Sequence, residues 1–271
     1  MATFELEGKE IYYEDHGAGK PLLVLNGIFM SCASWEKFVP AFSAHCRLLL
    51  LDFYDQGRTA KRNADYSQSE QVALVHAFLR HMGISRCSII GISYGGEIAL
   101  QFASSFPEQV EKLILSNTCP NTSDWLRDIG HSWEFACNSH DGHQFFKTCI
   151  PIVYSPQFYT KNYAWASARE ALFLRVFTPE IYDAFARLIR SAEAYDVRDK
   201  LGQITAETLV ISAEHDYVTP LFQQREIVSG IPNAAHAMIL DAGHAVMYEK
   251  PAEFISLVLG FMVGETNVKL V

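Results

Sequence analysis

Short apolar runs without polar alternation recur along the chain, at residues 21–25, 47–51, 87–91, 112–115 and 207–213. A strand with one wet face alternates apolar and polar side chains, so these runs predict strands buried on both faces. Between them, residues 67–81 carry Val72, Val75, Phe78 and Leu79 at helical spacing, and residues 95–106 carry Ile98, Leu100, Phe102 and Ala103. Such stripes mark amphipathic helices. Strand and helix in alternation predict an α/β fold with a mostly parallel central sheet and helices on both faces. Residues 3–15 read as two short strands turning at Gly8, closed by the polar stretch 17–20. A helix at 220–228, a last strand at 236–240 and a closing helix at 251–262 complete the pattern.

A chain of 271 residues can bury a sizeable core unaided. Its net charge of −9 and its lack of a Lys/Arg run exclude a phosphate-backbone partner, because nucleic-acid affinity rests on clustered basic charge. Cys32, Cys46, Cys87, Cys119, Cys137 and Cys149 form no CxxC pair and no regular spacing, and the N-terminus has no apolar signal region. These features predict reduced thiols in a cytoplasmic protein. No apolar stretch approaches the roughly 20 residues that cross a bilayer, so no membrane partner is expected.

Residues 121–200 interrupt the alternation with a helix-rich insertion broken at Pro151, Pro156 and Pro179. The expected organisation is a core made of 1–120 and 201–271 with a helical cap, or lid, at 121–200. Aromatics make up 15 of the insertion's 80 residues against 19 of the other 191, a density suited both to a small core and to a ligand pocket. Phe29, Trp125, Trp133 and Tyr154 are therefore candidate substrate contacts.

Gly91-Ile92-Ser93-Tyr94-Gly95 lies where an apolar strand meets an amphipathic helix, the context of a G-x-S-x-G turn. A serine on so sharp a turn needs neighbours without bulk, and the helix N-terminus brings amide donors and positive dipole beside its hydroxyl. A serine hydroxyl needs a base and a group that orients the base. His244 follows the last predicted strand and so falls on the same sheet edge as Ser93. Asp216 follows the strand at 207–213 and precedes His244 by 28 residues, room for one helix and one strand. Glu214, Asp241 and Asp124 are alternative acids. A tetrahedral intermediate also needs oxyanion donors, expected from the backbone N–H groups of Tyr94 and Ile28, with Phe29 as the alternative to Ile28. His131, His140 and His143 with Asp141 match no zinc-ligand spacing, so no metal site is expected.

From about Glu10 to Met262 the sequence resembles the α/β-hydrolase-fold proteins, the group of small single-chain esterases and related hydrolases. The matching stretches are Leu23-Val24-Leu25-Asn26-Gly27 with Trp35, Asp52 with Gly57-Arg58-Thr59, Gly91 to Gly96, Phe106-Pro107 with the following strand, Asp216 with Pro220, and Gly243-His244 with Glu249 and Pro251. The order Ser, Asp, His is that of this fold's triad. Two positions depart from it. Asn26 stands where many relatives have His, and the 52–57 loop lacks the family's Arg and first Gly; Asp52 reads as a structural organiser of that loop. The ordered triad and the aromatic insertion predict a serine hydrolase acting on a small or medium apolar carboxylic ester through an acyl-enzyme on Ser93, a small-molecule, ester-like substrate, with no cofactor. Thioesterases, enol-lactonases and carbon–carbon bond hydrolases of ring-cleavage products share the triad. A ligand receptor that keeps the fold without turnover is the alternative from another class.

Overall fold

The structure, a computed structural model, describes residues 2–264. Residues 265–271, which the sequence reading assigns to the core, lie outside the described residues. Eight strands form one sheet: β1 (Ala2–Leu6), β2 (Lys9–His16), β3 (Pro21–Leu25), β4 (Arg47–Leu51), β5 (Cys87–Ile92), β6 (Val110–Ser116), β7 (Glu207–His215) and β8 (Ala234–Gly243), in the order β1-β2-β4-β3-β5-β6-β7-β8. β1 pairs antiparallel with β2 and β2 antiparallel with β4, whereas every other pairing is parallel. The order reverses beside β3. The crevice at the carboxyl ends of the strands next to such a switch point is where open α/β sheets bind ligands.

The missing alternation has a direct structural cause. Leu23 and Leu25 of β3, Leu49 and Leu51 of β4, and Leu113 and Leu115 of β6 face one apolar cluster. Their neighbours Leu22, Val24, Leu48, Leu50 and Ile114 face a second cluster on the other side of the sheet. Both periodicity-2 faces are therefore apolar, and all of these residues are at most 1% exposed.

Helices cover the faces. In chain order they are α1 (Val39–Ser43), α2 (Gln68–His81), α3 (Tyr94–Ser105), α4 (Asp124–Asn138), α5 (Gly142–Cys149), α6 (Pro156–Lys161), α7 (Tyr163–Val176), α8 (Pro179–Ser191), α9 (Leu221–Gly230), α10 (Val246–Glu249) and α11 (Pro251–Val263). Helices α4 to α8 all lie between β6 and β7, where the sequence places its insertion. Proline opens α6, α8 and α11 at a first-turn position, where its missing N–H is no loss. β8 runs further at both ends than the 236–240 read from sequence, because the small residues Ala234 and Ala235 before that run and Asp241, Ala242 and Gly243 after it carry no apolar strand signal.

Candidate active site

β5 ends at Ile92 and α3 begins at Tyr94, so Ser93 is the whole of the turn. Its φ of 51° lies in the left-handed region that a β-carbon disfavours, and its surroundings hold it there. The Ser93 N–H donates to the Ser116 carbonyl at 3.0 Å, and the Ser93 carbonyl accepts from the Thr118 hydroxyl at 2.8 Å and from the Gly96 N–H at 2.8 Å. The flanking glycines are required by close approach. A β-carbon on Gly95 would overlap the Leu25 carbonyl, and one on Gly91 would lie 2.6 Å from the Gly96 α-carbon.

The loops after β7 and β8 bring the other two groups to Ser93. His244 Nε2 is 2.9 Å from Ser93 Oγ, and His244 Nδ1 is 2.9 Å from Asp216 Oδ1. Asp216 is itself held on every side. Its Oδ1 accepts from the Val218 and Thr219 amides, and its Oδ2 accepts from the Thr219 hydroxyl, Asn117 Nδ2 and Gln224 Nε2. Burial pushes the Asp216 carboxyl up, but the adjacent imidazole and these donors outweigh it, so its pKa falls below the usual value. Asp216 therefore stays an ionised acceptor that fixes the imidazole with Nε2 toward Ser93. The alternative acids point elsewhere: Glu214 and Asp241 are exposed at the β7–β8 edge, and Asp124 is exposed and pairs with Arg127.

Ile28 and Tyr94 border the same space as Ser93, and no protein acceptor takes either N–H among the described residues. For Tyr94 this follows from its place in the first turn of a helix, where amides have no intrahelical partner. Asn26 explains the departure from the family pattern: its Nδ2 donates to the Leu51 carbonyl and its Oδ1 accepts from Trp35 Nε1, both at 2.8 Å. The side chain ties β3 to β4 directly beneath the Ile28 turn. Asp52 organises its loop by accepting from the Cys32 and Arg58 amides.

Ser93 stands where two cavities meet. The larger, about 130 Å³, is lined by His244, Phe29, Trp133, Tyr154 and Tyr248 among others. The smaller, about 60 Å³, lies between α3, α4 and α8, with Glu97, Leu126, Trp133 and Ile189 in its wall. Three of the four aromatic contacts expected from sequence thus border the serine. Trp125 does not: its ring is 51% exposed, its Nε1 donates to the Tyr217 carbonyl, and it lines neither cavity. It sits in the first turn of α4, about two turns before the buried Trp133, and aromatic density alone cannot distinguish the two.

The insertion is fastened to the sheet beside the site. Glu249 accepts from the Gly243 and Ser155 amides and from the Ser155 hydroxyl, joining the His244 loop to the start of α6. Arg187 of α8 pairs with buried Asp55, and Tyr94 shares a 2.8 Å hydrogen bond with Ser191. None of these links has a local sequence signal. His131, His140 and His143 disperse to Glu193, Asp183 and Glu170. All six cysteines are unpaired and buried, and no helix among the described residues is long and apolar enough to cross a membrane.

The family profile described as alpha/beta hydrolase fold matches residues 20–251. An alpha/beta hydrolase enzyme, MGS-M2, from a Medee basin deep-sea metagenome library has a crystal structure that superposes with a TM-score of 0.96 at 40% identity, covering 100% of both chains. The enol-lactonase of Burkholderia xenovorans LB400 shares the fold at a TM-score of 0.86 and 21% identity, over 97% of this chain and 100% of that one. The "Putative carbamate hydrolase RutD" of Azorhizobium caulinodans is 26% identical over 93% of this chain and 94% of its own. With a matching profile across most of its length and a full-length relative at 40% identity, this chain belongs to the α/β-hydrolase family and is a hydrolase.

Proposed function

We propose that the protein is a serine hydrolase that cleaves small or medium carboxylic esters through an acyl-enzyme on Ser93. The observation that carries this reading is the unbroken chain from Ser93 Oγ through His244 to Asp216, with contacts of 2.9 Å at each end of the imidazole, at the junction of two cavities. His244 Nε2 takes the hydroxyl proton as Ser93 Oγ bonds to the ester carbonyl carbon. The amides of Ile28 and Tyr94 receive the negative oxygen that results. The carbon–oxygen bond to the leaving group then breaks, and the alcohol departs with the proton held by His244. Water gives a proton to His244, attacks the acyl carbon, and releases the acid and the serine. Asp216 keeps the imidazole in the tautomer this requires. In this reading residues 121–200 act as a cap over the site, and the reaction calls for no cofactor.

The test is a panel of p-nitrophenyl esters from acetyl to dodecanoyl, run on the unaltered protein and on Ser93→Ala. Turnover of short esters should fall by about 10⁴-fold or more in the variant, the scale on which loss of a triad nucleophile acts. Retained turnover would remove Ser93 from the mechanism. The relatives named for carbamate hydrolysis favour a second acyl class, so a p-nitrophenyl carbamate belongs in the panel. Preference for it over the matched ester would move the substrate, not the triad.

A further inference from the structure

Arg169 lines the larger cavity, together with Ser93, His244 and Phe173, one of the two rings over which its guanidinium lies. It projects from α7 and is held by two rings, its Cζ lying 5.1 Å from the Trp165 centroid and 5.9 Å from that of Phe173. Among the described residues it has no carboxylate within ion-pair distance and no hydrogen-bond acceptor. Its neighbour in sequence, Glu170, is taken by Lys147 and His143. The other cations of the insertion are either paired, as are Arg127, Arg187, Arg190 and Arg198, or exposed to water, as are Lys161, Arg175 and Lys200. Among the described cations of the insertion, Arg169 alone combines partial burial, a place in the wall of the larger cavity that Ser93 also lines, and unused donors.

A guanidinium offers five N–H donors in a planar fork that fits a carboxylate. Left without acceptors against aromatic and aliphatic walls, those donors are a cost that an arriving anion removes. The charge balance limits which anion. Apart from His244 no second titratable cation lines this cavity, so a monoanion is neutralised and a phosphate dianion is not. The side of the site is fixed as well. His244 lines the larger cavity and not the smaller, and a leaving alcohol must sit on the imidazole side to receive its proton.

We propose that Arg169 is a specificity-determining residue that binds the carboxylate on the leaving-group half of the substrate, making esters of carboxylate-bearing alcohols or phenols the preferred class. This rests on the serine-ester reading for the side on which the carboxylate lies. The acyl half occupies the smaller cavity, and the alcohol half spans the larger one from Ser93 to the guanidinium.

Two matched probes isolate the charge: 4-acetoxybenzoate and methyl 4-acetoxybenzoate, which share the acetyl group and the ring. In the unaltered protein kcat/KM should favour the carboxylate ester. Arg169→Met should reduce the ratio of the two kcat/KM values by about 10- to 100-fold, the range of a hydrogen bond to a charged group, chiefly through KM. Arg169→Lys, which keeps the charge and loses the fork, should recover part of it. An unchanged ratio in Arg169→Met overturns the proposal while leaving the serine reading intact. Calorimetry on the unaltered protein supplies a readout free of both turnover and variants. Binding of 4-hydroxybenzoate at least about tenfold tighter than methyl 4-hydroxybenzoate supports the carboxylate site, and equal binding overturns it. If neither acetate ester is hydrolysed while the carboxylate is still preferred in binding, the ester reading fails and the anion site stands.

Discussion

Helices α3 and α7 both border the space around Ser93, yet they are built in opposite ways. Ten of the twelve residues of α3 are buried, whereas Ala166 is the one buried residue among the fourteen of α7. α3 begins directly after Ser93 and is wedged against β3, β5 and Thr118 by glycines that leave no room for a β-carbon. α7 lies on the outside of the insertion, with Tyr163, Leu172, Leu174 and Val176 open to water. The Ser93 hydroxyl is thus set by an element that many contacts over-determine, and part of the wall that would meet a ligand by an element that few contacts hold. Local stability follows contact density, so such a division lets the wall vary while the chemistry stays in register.

The largest expected effect tests the rigid half. In Asp216→Asn the new amide nitrogen faces donors at either oxygen position, the Val218 and Thr219 amides at Oδ1 or Asn117 Nδ2 and Gln224 Nε2 at Oδ2, and the side chain no longer fixes the imidazole tautomer. Ester turnover should drop by about 10³- to 10⁴-fold in kcat. A drop below about tenfold would mean that another acid orients His244, and the bracing of Asp216 would be purely structural.

A stability pair measures the contrast itself. Leu100 on α3 is fully buried and Leu174 on α7 is 53% exposed. Leu100→Ala should cost about 2–5 kcal/mol in urea unfolding, since it leaves a cavity in a close-packed layer. Leu174→Ala should stay within about 0.5 kcal/mol. Similar costs for the two would erase the distinction between the helices.

The rigid half was also the legible half. Strands buried on both faces announce themselves by unbroken apolar runs, and the Ser93 turn by glycines whose absence of side chain has a local steric reason. Asp216 and His244 could be singled out because each directly follows a strand, and parallel strands deliver their carboxyl ends to one edge. The insertion offered no such rule. Its aromatics serve core and cavity alike, so Trp125 and Trp133, both on α4, carry the same signal although the first is exposed and the second is buried in the cavity wall. Arg169 was indistinguishable from the other cations because its lack of a partner depends on Glu170 turning to Lys147 and His143. The braces of Asp216 come from Asn117 and Gln224, which are close only after folding. Glu97 sits at an ordinary helical position, and only the packing of α2 and α3 makes it buried.

Glu97 allows the comparison to be sharpened by pH. Its carboxyl lies inside α3, accepting from Gln68 Nε2 at 2.6 Å and from the Cys119 thiol, and burial pushes its pKa up to about 7. On α7, burial likewise works to raise Glu170, but its bonds to Lys147 and His143 prevail and its pKa is lowered. The signs follow by linkage. For Glu97 the folded pKa exceeds the ordinary 4.5, so the unfolded chain releases its proton first. Its contribution is most favourable in acid, declines as pH rises from about 4.5 to 7, and is constant above that. A displacement of this size corresponds to about 3 kcal/mol in all. Glu97→Gln removes the titration while keeping an acceptor for Gln68. Urea unfolding at pH 5 and pH 8 should show the variant gaining about 2–3 kcal/mol on the unaltered protein between those two values. Parallel curves for the two proteins would mean that water reaches Glu97 through the smaller cavity, and that the packing of α3 is looser than its buried surface indicates.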